Sequence, residues 1–157
     1  MHWRAVLAGV AWGVGYLGVC YLLAPLERIG LVAAPLLLGA GPLAGAAAGW
    51  LAHGGPAEST RHGLFAGAVT GLVFAAAFWH VLSVSRFNSL TPFGHGGAFY
   101  ALKLTFAYSA GDFAVIAAAP GRVAGALAVA GAVATTLLGS YGGYVAATRE
   151  NISFIEQ

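Results

Sequence analysis

Long apolar runs separated by short polar stretches dominate this chain. Four runs are long enough to cross a bilayer, which takes about 20 helical residues. They cover about residues 5–24, 29–52, 62–84 and 122–147. The first stops at Pro25. The second holds Pro35, in its first turns, and Pro42, which should kink its middle because proline donates no backbone hydrogen bond and crowds the preceding turn. The polar loop from His53 to Arg61 follows, with Ser59 or Thr60 as the expected N-cap of the third helix. The polar tail from Thr148 onward closes the pattern.

The stretch 85–121 does not fit it. It opens with loop-like residues, Ser85 to Pro92, and His95-Gly96-Gly97. From Ala98 to Ala119 it is apolar but interrupted by Lys103 and Asp112. As a membrane helix it would bury two opposite charges nine positions apart, beyond the reach of a direct pair along one helix. Each would be costly near the bilayer centre. Leu102 to Ser109 also alternates in the manner of a strand, with Gly111-Asp112 as a hairpin turn, and an interfacial amphipathic helix is a third option. The preferred reading is an all-α bundle of four transmembrane spans with an external or re-entrant insertion before the last helix. Five spans is the alternative.

Glycine spacing is the strongest signal within the spans. Gly41, Gly45 and Gly49 recur every four residues in the second, and Gly63, Gly67 and Gly71 in the third. Such spacing lines one helical face, where a missing side chain lets another backbone approach closely. A short loop joins the two helices, so Gly-zipper packing should pair them antiparallel: Gly49 with Gly63, Gly45 with Gly67, Gly41 with Gly71. Gly9 with Gly13, and Gly139 with Gly143, form shorter faces on the outer helices. Gly45-x-x-x-Gly49-Trp50-Leu51-Ala52 also echoes Gly139-x-x-x-Gly143-Tyr144-Val145-Ala146. A two-helix repeat of this kind relates its halves by an axis along the membrane normal.

Composition sharpens the membrane reading. Apolar residues are 59% of the 157 and charged residues only 8%, too few to cover a soluble domain. The net charge of +2 is scattered, with no basic stripe for nucleic acid. Cys20 is the only cysteine, so there is no internal disulfide. Arg4 and the apolar run behind it resemble a signal peptide, but no small-x-small cleavage site follows, and the segment is read as a retained helix. With four spans the basic residues divide three (Arg4, Arg61, Arg149) to four (Arg28, Arg86, Lys103, Arg122) between the two sides and leave orientation open.

The run Ala44 to Ala52, then Gly54-Gly55-Pro56, then Arg61-His62-Gly63-Leu64-Phe65-Ala66-Gly67 resembles the centre of a family of small haloarchaeal membrane proteins with four glycine-rich helices and no assigned function. The long 85–121 segment and the scarcity of acidic loop residues depart from that family. The resemblance implies membrane location and four helices, and no activity.

Candidate chemistry is sparse. His53 with His62 at one face, and His80 with His95 toward the other, have the residue type for bis-histidine haem ligation. Histidines at helix ends also sit well in the interface, and no cofactor or metal is expected. Lys103 and Asp112 are candidates for an ion path. No phosphate-binding loop and no activated nucleophile occurs, so an enzyme is not expected. The expected role is that of a structural or accessory multi-pass protein of the cell membrane. It would contact the lipid bilayer and either copies of itself or other membrane subunits. The alternative is a small transporter or channel gated by 85–121.

Overall fold

A computed structural model describes residues 2–23, 33–85 and 120–153, with side chains over 2–20, 35–79, 122 and 125–149. Its elements are α1 (Trp3–Leu23), α2 (Ala33–Leu38), α3 (Ala40–Ala52), α4 (Pro56–Ser85) and α5 (Pro120–Ser153). Among the described residues there is no strand. Four helices are long and apolar enough to cross a membrane: α1, α2 continued into α3, α4 and α5.

The break between α2 and α3 lies at Gly39, three residues before Pro42. Pro42 has no N–H for the carbonyl of Leu38, and its ring crowds that carbonyl. The helix tightens there: Gly39 N–H donates to the carbonyls of both Pro35 and Leu36, each at 3.1 Å. Gly39 itself stays in the helical region, so the span bends without ending. The Leu36 carbonyl also accepts the Tyr16 hydroxyl of α1 at 2.8 Å.

The turn between α3 and α4 departs from the expected cap. Pro56 opens α4, where its missing N–H costs nothing, and the amides of Glu58 and Ser59 both donate to the Gly55 carbonyl at 3.0 Å. Ser59 and Thr60 therefore lie inside the helix. Ser59 Oγ reaches back to the carbonyls of Gly49 (3.2 Å) and Gly54 (3.3 Å), stapling the end of α3 to the start of α4.

His53 ends α3 in the left-handed conformation, at φ 48° and ψ 31°. Glycine is the usual residue there, and a side chain costs about 1–2 kcal/mol. His53→Gly is accordingly expected to raise stability by about 0.5–1 kcal/mol after the entropy that glycine adds to the unfolded chain, and His53→Val to lower it. Denaturant unfolding in micelles reads both. A loss of stability in His53→Gly would show that the histidine's bond to the Leu51 carbonyl (3.0 Å) outweighs the strain.

Helix directions follow from facing residues. Along α5, Ala132 faces Gly71, Gly139 faces Gly67 and Gly63, and Gly143 faces Ser59, so α5 runs antiparallel to α4. The antiparallel pair gathers the starts of α1 and α4 and the end of α5 at one end of the bundle. Arg4, Arg61 and Arg149 stand exposed there, with Arg122 at the opposite end. The insertion expected at 85–121 falls, from 86 to 119, outside the described residues.

Burial is inverted relative to a soluble protein. Ala40, Ala44, Ala48 and Ala66 are fully enclosed, while Trp12 and Leu72 are each 67% exposed and Trp3, Leu7, Trp50, Val129 and Tyr141 also face outward. Water would reverse that arrangement. Lipid rewards it, because hydrocarbon is as good a neighbour for leucine as another helix is. Large side chains enter the interior near the Arg122 end, where Leu17, Cys20, Leu37, Phe74 and Phe78 pack with Ala40 and Ala128. Toward the Arg4 end the core shrinks to Val6, Ala44, Ala48 and Ala66.

Candidate functional site

All eight glycines expected to pack helices, Gly41, Gly45, Gly49, Gly63, Gly67, Gly71, Gly139 and Gly143, are buried. Their partner differs from the expected one. The two trios do not meet each other first; both turn toward α5. A Cβ on Gly45 would run into the backbone of Gly139, and one on Gly49 would lie 2.8 Å from Gly143 Cα. From α4, a Cβ on Gly63 would strike the Gly139 carbonyl, and one on Gly67 would lie 2.9 Å from Gly139 Cα. Gly49 and Gly63 both lie beside Gly143. The helix between them is the last one. The sequence pattern located the faces and could not say which third helix they would share.

These contacts say what the seam is made of. The Hα of Gly45 points along the direction a Cβ would take, which is toward the Gly139 carbonyl oxygen. Cα–H···O contacts of this kind contribute about 0.5–1 kcal/mol each, and backbone dispersion adds to them. Thr135 and Thr136 donate their hydroxyls back to Gly131 (2.7 Å) and Ala132 (2.8 Å) on their own helix. They therefore present methyl groups and backbone to their neighbours. Thr70 does otherwise. Its Oγ1 is fully buried beside Gly13 and, among the described residues, has no hydrogen-bond partner.

The internal echo acquires a physical meaning here. Gly45 faces Gly139 and Gly49 faces Gly143, so α3 and α5 run parallel with like residues at like heights. The contact is not reciprocal, because a Cβ on Gly139 would meet Gly63 and Gly67 of α4 instead, so no two-fold axis relates the two motifs. α4 packs on both α3 and α5, whereas α1 lies across α3 and α4.

The histidines separate. His53 is exposed in the turn. His62, only 2% exposed, has both ring nitrogens engaged: Nε2 accepts the backbone N–H of His2 at 2.8 Å, and Nδ1 lies 2.8 Å from the Glu58 carbonyl. Of the two candidate ligands at this face, His62 therefore has no ring nitrogen left to join His53. The His80 side chain and all of His95, Lys103 and Asp112 lie outside the described residues. Among the described residues no cluster of three or more histidine, cysteine or carboxylate groups is placed to hold a metal. The contact of His62 with His2 spans sixty positions of sequence and left no periodic signal.

No protein-family model, curated protein or solved structure matches this chain.

Proposed function

We propose that this protein is a multi-pass integral membrane subunit with a structural role, packing laterally through α1 against a second copy of itself. The observation that carries the proposal is the face of α1 formed by Ala11, Gly15 and Gly18. Among the described residues nothing lies within 4 Å of where a Cβ on Gly15 or Gly18 would stand. Spacings of four and three put these residues on one side of the helix. The opposite side already packs, with Gly9 against Ala44, Ala48 and Ala66, and Gly13 against Thr70. Beside the open face runs a groove of about 500 Å³ lined by Ala11, Trp12, Gly15, Tyr16, Val19 and Leu43. Small-residue faces in membrane helices are the ones that let a second backbone approach.

The expected result is a particle of twice the 15.8 kDa chain mass in mild detergent, after detergent is subtracted. It should return to one chain in Gly15→Ile or Gly18→Ile with helicity unchanged. A wild-type protein that is strictly monomeric and partner-free would overturn the reading. Co-purification of a different membrane protein would keep the structural role and replace the second copy. The transport alternative rests on Lys103 and Asp112.

A further inference from the structure

We propose that His62 is a proton-sensitive clasp that ties the start of α1 to α4 when neutral and releases it when protonated. The geometry assigns the tautomer. The partner of Nε2 is a backbone N–H, which can only donate, so Nε2 is the acceptor and the ring proton sits on Nδ1, donated to the Glu58 carbonyl. A second proton would have to go on Nε2. It would turn that nitrogen into a donor facing the His2 N–H, and the bond would be lost with a charge left in a buried place. Histidine is the side chain that changes charge between pH 5 and 8.

The surroundings offer no compensation for the added charge. From α1, His2 stacks its ring on that of His62 with centroids 6.1 Å apart, and Arg4 stands in the same turn. From α4 come Glu58, whose backbone carbonyl holds Nδ1 and whose carboxylate lies against Gly54, and Arg61. His53 of the turn and Tyr144 and Arg149 of α5 stand at the same end of the bundle and are exposed. Among the described residues there is thus no carboxylate against the imidazole to hold it as a cation.

α1 is the helix on which such a release would act. It packs on α3 and α4 at the edge of the bundle, while α5 sits in the glycine seam. Its ties to neighbours include the His62 bond at one end and the Tyr16 bond to Leu36 further along. The amides of Ala5 and Val6 donate to the His2 carbonyl, so freeing His2 frees the first turn.

Amide hydrogen exchange of the full chain in micelles, corrected for the intrinsic pH dependence of exchange, tests this. Protection at residues 2–6 is expected to fall about tenfold between pH 8 and pH 5, the scale of losing one hydrogen bond. The Gly45 and Gly139 regions should keep theirs. His62→Gln preserves an acceptor for the His2 N–H and carries no titrating group, so its protection should be flat with pH. His2→Ala keeps the backbone donor and should respond as wild type does. Unchanged protection in the wild type overturns the proposal. So does a response that persists in His62→Gln, or one that vanishes in His2→Ala.

Discussion

Gly45→Ala and Gly139→Ala are expected to destabilise the bundle by about 1–3 kcal/mol each, the usual scale of overpacking, whereas Gly15→Ala and Gly18→Ala are expected to stabilise the protomer. All four sit in helices, where alanine is favoured over glycine by about 0.8–1 kcal/mol. What differs is the space beyond Cα. At Gly45 a methyl group meets the carbonyl and Cα of Gly139, and at Gly139 it meets the Gly63 carbonyl and Gly67 Cα, each 2.7 Å away. Backbone cannot rotate aside as a side chain can, so two helices must separate along the whole seam. At Gly15 and Gly18 there is nothing to strike among the described residues. Unfolding by denaturing detergent, followed by circular dichroism in a micelle that keeps the protein monomeric, compares the four directly. Equal effects at all four positions would mean that the close approach of α3, α4 and α5 contributes nothing beyond helix propensity.

Phe74→Ala is the other large effect, at about 2–3 kcal/mol. Phe74 and Phe78 stack with centroids 5.6 Å apart in the core near the Arg122 end, and Phe74 lies over Gly131 of α5. Truncating a buried phenylalanine in a soluble protein typically costs about 3–5 kcal/mol, part of it transfer from water and part the cavity left behind. In lipid the transfer part is small, because the separated helix keeps its side chain in hydrocarbon. The cavity part remains. The same geometry gives a rescue: with the ring gone, the space a Cβ of Gly131 would take is free, and Phe74→Ala with Gly131→Leu should regain part of the loss. The coupling is measured by a double-mutant cycle. Strict additivity of the two substitutions would show that Phe74 and Gly131 do not share that space.

The proposed roles of α1 can be separated from these core effects. The open Ala11, Gly15 and Gly18 face points away from the seam, and the His62 clasp lies at the Arg4 end of the bundle. A variant that loses self-association without losing stability addresses the first, and one that loses only its pH response addresses the second.

How far the chain could be read without its fold is visible at particular residues. The four apolar runs, the kink before Pro42 and the glycine faces follow from local rules: bilayer thickness fixes helix length, proline breaks a known hydrogen bond, and four-residue spacing lines one face. These survive any tertiary arrangement. The start of α4 was also legible in principle, since Pro56 after two glycines is a helix-opening signal stronger than the hydroxyls of Ser59 and Thr60. The choice of α5 as the shared partner of both glycine trios was not. A glycine face is complementary to any other close backbone, and only the packing of three helices at once decides which one fills it. The same holds for His62. Its Nε2 is held by a backbone amide sixty residues away, and a single amide carries no side-chain pattern for a sequence to display.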